Sequence, residues 1–448
     1  MRMKEGAEKT STRSSGREVL RLAVPSILAN ITIPLVGMVD VAIVGHVSDA
    51  VGIGGVAIGT MLFDLLYWNF GFLRVGTSGL TAQAYGQGDM REAVGIFKQT
   101  GFIAGCSALM VWALQWIFLW AVMAFVPCTD AVGAFAREYF FIRIWAAPAT
   151  LGLMVFKGWF IGMQNTVAPM VCDILVNVVN MVASYVLAVH TPLGMMGVAY
   201  GTLCAQYAGL LVACVLLWAR YGRIFREHWR ETALFRGIRK VFRLSGDLFV
   251  RSLCFMAVYV GFTSLASNYG DQQLAVSTIM MKLFMFFSYF VDGFAYAGEA
   301  LTGRFIGERN GKELTHTVRV LFRWTVGVGL LFTVLYVVSG DLPVRMMTSD
   351  VSVIAASQPF LPWLALMPLI SCLAFMWDGI YIGATAGKEV RDCMIWAAAG
   401  FVVAYLVCAP WCGVQAIYIG YFVHLLARTV YLSVKWKKTR AESLKVGD

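Results

Sequence analysis

The chain has 448 residues, of which 59% are hydrophobic and 14% are charged, and its formal net charge is +10. Soluble proteins carry about 25% charged residues, so this composition excludes an ordinary water-soluble domain and indicates a polytopic membrane protein. The apolar runs are long and continuous, which favours membrane-spanning helices over the short alternating strands of a β-barrel. At roughly 35 residues per helix and connection, the length predicts about twelve helices.

The apolar runs form two sets of six, separated by one long charged segment. We predict membrane helices at about residues 20–44, 51–85, 99–126, 136–162, 167–189, 195–218, 241–267, 273–305, 315–339, 351–384, 389–410 and 413–434. The chain then divides into an N-terminal tail (1–16), a first lobe (17–219), a basic linker (220–240), a second lobe (241–434) and a C-terminal tail (435–448).

The positive charges concentrate in alternate connections between the predicted helices. The predicted outer turns contain only Arg137 and Arg345, whereas the tails and the linker are rich in Lys and Arg. Cytoplasmic loops carry such an excess, so we expect both termini and the linker to be cytoplasmic and the protein to lie in the cytoplasmic (inner) membrane. This distribution suits contact with membrane lipids and gives no indication of a nucleic-acid partner.

The two halves resemble one another in sequence. The stretch that begins at Lys157 (Lys-Gly-Trp-Phe-Ile-Gly) recurs at Asp378 (Asp-Gly-Ile-Tyr-Ile-Gly), 221 residues later (378 − 157). Leu80-Thr81 recurs at the same offset as Leu301-Thr302. Because each repeat contains six crossings, both should have the same orientation and be related by an axis along the membrane normal. Two six-helix lobes with a cavity between them would permit alternating access.

Asp40 lies inside the first apolar run, about 20 residues beyond the predicted inner surface. An ionisable residue inside a membrane span is costly unless it faces the bundle interior or a wet cavity, so it is a functional candidate. Burial among apolar side chains would let such a carboxylate exchange a proton near neutral pH. We therefore predict that Asp40 is the protonatable group of a transporter. A position near the outer membrane surface is the simpler alternative.

Several polar residues of the first lobe could surround Asp40. Asn177, Asn180 and Ser184 are spaced i, i+3, i+7 and therefore share one face of the fifth predicted helix. Thr202 lies on the sixth predicted helix. We predict that these four residues form a proton- or cation-coupling site with Asp40. Hydrogen bonding between helices is the alternative role for each of them.

Further ionisable candidates lie in the other predicted helices. Asp64 and Arg74 belong to the second helix, and Asp292 and Glu299 lie seven residues apart on one face of the eighth. Ion pairs with Arg251 or Lys282 would give these two acids a purely structural role. Asp378 lies near the inner end of its helix, where anchoring at the membrane surface is the simpler interpretation.

Motifs for catalysis and for nucleotide or metal binding are missing from the sequence. There is no Gly-x-x-x-x-Gly-Lys-Ser/Thr loop and no His-Glu-x-x-His pair, and the ten cysteines show no metal-ligand spacing. We therefore expect neither an enzyme nor an ATP-driven pump. We also expect no cofactor or metal, and an ion gradient as the energy source. One chain contains both lobes, so a monomer would suffice.

Four segments together resemble the MATE (multidrug and toxic compound extrusion) family, and within it the DinF branch. They are Pro34-Leu-Val-Gly-Met-Val-Asp40 with Gly45-His46, Phe72-Leu-Arg74-Val-Gly-Thr77-Ser-Gly-Leu-Thr81-Ala-Gln83, Asp292-Gly-Phe-Ala-Tyr-Ala-Gly-Glu299-Ala and Asp378-Gly-Ile-Tyr-Ile-Gly. The resemblance extends from about residue 17 to residue 435. It implies twelve helices in two six-helix lobes and outward extrusion of small cationic or amphipathic organic molecules against inward protons or sodium.

The resemblance also implies roles for particular residues. Asp40 matches the coupling carboxylate of the family's first helix, and Asn180 and Thr202 match positions that join that site. Ser184 stands where many family members have a second aspartate, which weakens a sodium site made of two carboxylates. We therefore favour proton coupling. Sodium coupling through the same lobe is one alternative. A lipid flippase is another, for which Arg74, Arg143, Arg251 and Lys282 would have to line a cationic cavity.

Overall fold

The computed structural model describes the backbone of residues 2–47, 50–124, 126, 128–235 and 237–445. It describes side chains at 16–34, 36, 37, 39, 40 and 43, and from Gly52 onward wherever the backbone is described. The predicted turn at 45–50 includes Ser48 and Asp49, and the predicted third helix stops at Pro127; these three residues lie outside the described residues. The described residues are overwhelmingly helical and include no strand.

The described residues form sixteen α-helices in chain order. They are α1 (Arg2–Val47), α2 (Ala50–Trp68), α3 (Phe72–Gln87), α4 (Met90–Met123), α5 (Asp130–Arg143), α6 (Ala147–Gly162), α7 (Val167–Val189), α8 (Met196–His228), α9 (Ile238–Ser267), α10 (Asp271–Gly307), α11 (Gly311–Ser339), α12 (Leu342–Arg345), α13 (Val351–Ser357), α14 (Leu361–Gly383), α15 (Gly387–Cys412) and α16 (Gln415–Lys445). Short 3₁₀ segments at Asn69–Gly71, Ile144–Ala146 and Gln358–Phe360 join α2 to α3, α5 to α6 and α13 to α14.

The helices have the length and composition that a bilayer requires. Within the described residues, eleven single or joined helices are long and apolar enough to cross a membrane. The apolar run of α1, residues 20–44, has the length of a further crossing. Large apolar side chains such as Trp120 and Trp411 are exposed on these helices, as expected of surfaces that face lipid. The predicted all-α, multi-pass fold is confirmed.

Several helices extend beyond the predicted apolar runs. Helix α1 begins at Arg2, so it includes most of the predicted tail 1–16. Helix α8 ends at His228 and α9 begins at Ile238, so more than half of the predicted linker 220–240 lies in helices. Helix α16 continues to Lys445. Charged residues end the apolar run but not the helix, because Lys, Arg and Glu are good helix formers in water.

The described helices group into two compact units that correspond approximately to the two halves of the sequence. The first unit is Leu28–Phe242, and the second unit is Met1–Ile27 together with Arg243–Asp448. The boundary therefore falls inside α1. The stretch 17–27, which the sequence assigns to the first lobe, makes its contacts in the second unit. There Glu18 receives a hydrogen bond from Arg304 (2.7 Å).

Each unit has an aromatic core of its own. In the first unit the ring of Trp159 packs edge-on against Phe97 and Tyr221, and its Nε1 donates to the carbonyl of Ala93 at 2.9 Å. In the second unit Phe262 packs edge-on against Tyr418 and Tyr421. The indole N–H therefore has its hydrogen-bond acceptor, and the rings have their packing partners, within one unit. The dry interior of a membrane protein requires such internal partners for polar groups.

The internal duplication appears in the packing of each unit. Gly158 of α6 lies directly against the carbonyl of Arg74 in α3. Gly379 of α14 lies in the same way against the carbonyl of Ala295 in α10. Both residues of the second pair come 221 positions after the first (379 − 158 and 295 − 74). The sequence repeat therefore conserves a close helix–helix crossing.

The same crossing continues one turn further along these helices. Gly162 lies against the carbonyl of Ser78, and Gly383 against the carbonyl of Glu299, again with an offset of 221 (383 − 162 and 299 − 78). Two glycines four residues apart let two membrane helices approach closely, which is how helices associate where no hydrophobic effect operates between them. Any side chain at these positions would overlap the neighbouring backbone.

This packing predicts opposite effects for alanine at two kinds of glycine. Gly158→Ala and Gly379→Ala should each lower the free energy of unfolding by about 1–3 kcal/mol, because the new methyl group pushes two helices apart. Gly105→Ala is the control: no atom lies within 4 Å of its Cβ position, and the change should raise helix stability by about 0.5–1 kcal/mol. Denaturant unfolding in mixed micelles measures both. Equal stability of the three variants would contradict the account.

Candidate functional site

A band of polar side chains on α7 connects three helices of the first unit. Asn177 donates a hydrogen bond from Nδ2 to Oγ1 of Thr32 in α1, and Thr32 in turn donates to the carbonyl of Ala29 at 2.6 Å. This pair joins α7 to α1 about 12 Å along the helix axis from Asp40, eight residues further on. The predicted polar face of this helix is therefore in contact with α1.

The second hydrogen bond of the band joins α7 to α8. Asn180 donates from Nδ2 to Oγ1 of Thr202 at 2.9 Å, and Thr202 donates to the carbonyl of Val198 at 3.1 Å. Ser184 is fully buried one turn further, against Gly201, whose lack of a side chain permits the close approach of the two helices. The structure thus brings Asn180 and Thr202 into direct contact, as the sequence predicts for members of one site.

Three oxygen atoms of the predicted site are buried and accept no hydrogen bond from the protein. They are Oδ1 of Asp40, Oδ1 of Asn180 and Oγ of Ser184. Leaving a buried polar atom unpaired costs about 1–3 kcal/mol, so native structures keep few of them without a purpose. Among the described side chains no hydrogen bond joins Asp40 to α7. Oδ1 of Asn180 can only accept a hydrogen bond, whereas the hydroxyl of Ser184 can accept one or donate one.

One cation of the first unit interacts electrostatically with two of its carboxylates. Arg143 is the last residue of α5, immediately before the 3₁₀ turn, and its Nη1 donates to Oη of Tyr139 at 3.3 Å. Its guanidinium lies over the ring of Phe63, 4.7 Å from the centroid. The charge of Arg143 interacts electrostatically with both Asp40 and Asp64. Among the described groups, Arg143 is the charged residue that interacts with Asp40 in this way.

The sequence analysis named Arg143 only as a residue that would have to line the cationic cavity of a lipid flippase. The sequence analysis did not connect it with Asp40, because the two residues are separated by more than a hundred positions and by three helices. A signal was present in the sequence. Arg143 and Asp64 both lie in apolar runs of one lobe, and opposite charges inside a membrane tend to pair. Asp64 itself is exposed.

The second unit contains a buried cluster of three charges. Oδ2 of Asp378 in α14 accepts hydrogen bonds from Nη2 of Arg251 in α9 and from Nη2 of Arg428 in α16, each at 2.6 Å. Asp378 is 5% exposed and Arg428 is 1% exposed. The prediction that Asp378 anchors its helix at the membrane surface is therefore wrong. Its carboxylate links three helices in the interior instead.

The remaining charged candidates lie in α10 of the second unit and in α3 of the first. Glu299 is buried in α10, where its carbonyl forms the floor of the close approach to Gly383, and Asp292 is half-buried seven residues before it. Arg251, a predicted partner of these acids, is paired with Asp378. Arg74 is half-buried in α3, and its carbonyl forms the corresponding floor against Gly158. Asp292, Glu299 and Arg74 each have an interaction of their own.

The sequence analysis did not single out Arg428, which is almost fully buried in α16. The guanidinium of Arg428 lies 5.3 Å from the centroid of the Phe375 ring. An arginine inside the last apolar run was the available signal. It was overlooked because the run lies near the basic C-terminal tail, where a cation is expected at the membrane surface.

The buried triad predicts a strong effect of neutralising its carboxylate. Asp378→Asn leaves two buried guanidinium groups without a counter-charge, and should lower the free energy of unfolding by about 3–5 kcal/mol. Glu227→Gln is the matched control, because Glu227 forms an exposed pair with Arg223 within one helix and should have no measurable effect. Denaturant unfolding in micelles distinguishes the two. An Asp378→Asn variant as stable as the control would show that the triad contributes little.

Comparison with known proteins identifies the same two segments that the repeat defines. Residues 25–186 and 248–410 each match the family model described as MatE, and the two matches begin 223 residues apart (248 − 25). DNA damage-inducible protein F of Escherichia coli is 32% identical, over 95% of this chain and 93% of its own length.

Two further proteins extend the comparison. Multidrug and toxin extrusion protein 1 of Oryctolagus cuniculus is 24% identical, and the match covers 93% of this chain and 74% of the relative. The crystal structure of the Vibrio cholerae MATE transporter VcmN in the bent form superposes with a TM-score of 0.86 over 97% of this chain and 99% of that one, at 16% identity. The likeness to VcmN concerns the fold.

Proposed function

The chain belongs to the MatE family, whose members are transporters rather than enzymes, and we propose that it exports small organic molecules in exchange for protons. Alternating access supplies the transport cycle, and Asp40 carries the coupling proton. The observation that carries this proposal is the buried Oδ1 of Asp40, which accepts no hydrogen bond although it lies in an apolar span. Charged and neutral forms of such a group require different partners, so proton transfer can bias helix packing.

The hydrogen bonds of α7 support a proton as the coupling ion. Asn177 and Asn180 already donate to Thr32 and Thr202, whereas Oδ1 of Asn180 and Oγ of Ser184 remain free to accept. A protonated carboxylic acid has an O–H to donate, and an ionised one has only acceptors. The protonated form of Asp40 can therefore donate to Oδ1 of Asn180, which the ionised form cannot do, whereas the hydroxyl of Ser184 can pair with either form. Uptake of a proton would favour contact of α1 with α7, and its loss would weaken that contact.

Sodium coupling is the competing proposal, because the same free oxygens are hard ligands of the type that alkali cations use. The family resemblance disfavours it at one position. Ser184 supplies a neutral hydroxyl where many members have a second aspartate, which leaves Asp40 as the carboxylate of this cluster. We propose that no organic cofactor, metal or nucleotide takes part, and that the proton gradient is the energy source.

The substrate class and the cellular setting also follow from the family and the charge distribution. A rabbit relative is named a multidrug and toxin extrusion protein, which supports small cationic or amphipathic organic molecules as substrates here. The excess of Lys and Arg in the tails and in the connection between the halves supports a cytoplasmic membrane with both termini inside. A single chain containing both repeats supports a monomer as the transporting unit.

The proposal predicts that Asp40→Asn abolishes efflux driven by a pH gradient. Purified protein in proteoliposomes, loaded with the fluorescent organic cation ethidium, should export the dye when a pH gradient is imposed in sodium-free buffer. Asp40→Asn keeps the size and the hydrogen-bonding capacity of the side chain but cannot exchange a proton. Its efflux should fall to the rate of protein-free vesicles.

Asp130→Asn is the matched control. Asp130 is an exposed carboxylate in the first turn of α5, and its variant should export ethidium at the wild-type rate. Efflux by Asp40→Asn that still follows the pH gradient would contradict the proposal. Wild-type efflux that requires sodium and ignores the pH gradient would favour the competing one.

A further inference from the structure

We infer that a groove on the lipid-facing side of the first unit binds one phospholipid. An acyl chain of the lipid fills the groove, and its glycerol ester carbonyl accepts a hydrogen bond from the side chain of Gln115. This inference goes beyond the proposed function and does not depend on it. It assigns a ligand of defined chemistry to a cavity whose lining includes neither Asp40 nor a residue of α7.

The groove lies between α2, α4 and α5, where two membrane spans are interrupted. Its volume is about 200 Å³. The 3₁₀ segments Asn69–Gly71 and Ile144–Ala146 contribute Phe70 and Ile144 to its walls. Helix α4 contributes one face, because the spacing of its lining residues follows the helical repeat. These α4 residues are Met110, Val111, Leu114, Gln115 and Phe118. We call this cavity the α4 groove.

The α4 groove opens on a surface that faces lipid. Met110 and Leu114, which line it, are 48% and 46% exposed, and Leu109 and Trp116 beside them on α4 are also exposed. The groove is therefore accessible from the bilayer. Its volume is below the roughly 300–1,000 Å³ of pockets that hold drug-sized ligands. A segment of a narrow, flexible chain fits this space better than a whole organic substrate does.

Two backbone carbonyls beside the groove have hydrogen-bond donors of their own. The carbonyl of Ile144 accepts from Nε1 of Trp112 at 3.1 Å, and that of Trp145 accepts from Oη of Tyr207 at 2.9 Å. Among the residues that line the groove, Gln115 alone has a polar side chain, and no hydrogen bond joins its amide to a described residue. An unpaired amide in hydrocarbon is costly, so a ligand that supplies an acceptor would stabilise it.

The depth of Gln115 matches the ester layer of a bilayer. Lys98, near the start of α4, donates from Nζ to the carbonyl of Thr232 at 3.0 Å. Because Thr232 belongs to the connection between the two halves, Lys98 marks one boundary of the hydrocarbon core. Gln115 follows 17 residues later (115 − 98), which is about 26 Å along the helix. Since the hydrocarbon core is about 30 Å thick, the amide lies near the opposite boundary, where the glycerol esters of that leaflet begin.

A phospholipid of that leaflet satisfies both parts of the α4 groove. An ester carbonyl can only accept a hydrogen bond, and the amide nitrogen of Gln115 donates. The acyl chain would then run from Gln115 to Met110, about 7.5 Å along α4 toward the middle of the bilayer. No hydrophobic effect distinguishes a lipid chain in the groove from one in the bilayer. Van der Waals packing and the hydrogen bond therefore decide the affinity.

The inference predicts that the protein distinguishes an ester lipid from its ether analogue. Dioleoyl phosphatidylglycerol, or the diether lipid with the same headgroup and chain length, is titrated into the full-length protein in detergent. The thermal unfolding midpoint reports binding, because a ligand of the folded state raises it. Wild-type protein should bind the diester about threefold more tightly, as expected for one side-chain hydrogen bond in a membrane. Gln115→Leu should bind both lipids equally, at the affinity of the diether.

Leu114→Trp tests the groove itself. The larger side chain should occupy the opening of the groove and remove most of the stabilisation by either lipid. Leu109→Trp is the matched control, because Leu109 is an exposed residue of α4 that does not line the groove. This variant should respond to both lipids as the wild type does.

Three results would overturn the inference. One is wild-type protein that binds the diester and the diether equally. Another is a folded Leu114→Trp protein that lipid stabilises as strongly as it stabilises Leu109→Trp, which would place the lipid elsewhere. The third is stabilisation of the wild type by ethidium but not by phospholipid, lost in Leu114→Trp, which would assign the groove to substrate. These measurements need no ion gradient, so a failure of the proposed proton coupling would leave their outcome unchanged.

Discussion

The hydrocarbon interior of a bilayer offers neither hydrogen bonds nor counter-charges, so every charge in a membrane span must find its partner inside the protein. The two units of this chain solve the problem differently. In the second unit two guanidinium groups lie 2.6 Å from the carboxylate of Asp378. These contacts link three helices and leave the carboxylate unable to exchange a proton. In the first unit Oδ1 of Asp40 accepts no hydrogen bond. The arrangement around Asp378 is static, whereas the proposed function requires Asp40 to change its protonation state.

These two arrangements stand on a duplicated framework. The close crossings at Gly158 and Gly379 are equivalent in the two halves, but the residues that precede them, Lys157 and Asp378, have opposite charges. Lys157 pairs with Asp173 of its own unit. Backbone packing was retained after duplication while the charges diverged, because a crossing of small residues tolerates no side chain whereas an ion pair can be rebuilt with new partners.

The sequence predicted the parts of this structure that depend on local patterns. Apolar run length predicted the membrane helices, the repeat predicted the duplicated crossing, and helical spacing predicted the shared face that carries Asn180 to Thr202. It did not predict the partners of buried charges, because helix rotation and tertiary contact decide which residues meet. Asp378 was therefore misjudged as a surface anchor, and Arg428 was overlooked. The coupling roles of five residues remain predictions: Asp40, Asn177, Asn180, Ser184 and Thr202. Functional roles for the further intramembrane candidates Asp64, Arg74, Asp292 and Glu299 also remain predictions.

The central claim is that Asp40 carries a proton which substrate binding displaces. Its most direct test is proton release when ethidium binds to the purified protein in weakly buffered detergent solution, followed with a pH indicator. Linkage requires that a ligand favouring the ionised form releases protons on binding. The account predicts release by the wild type and none by Asp40→Asn at equal occupancy. Equal proton release by both proteins, or ethidium binding by the wild type without any release, would contradict it.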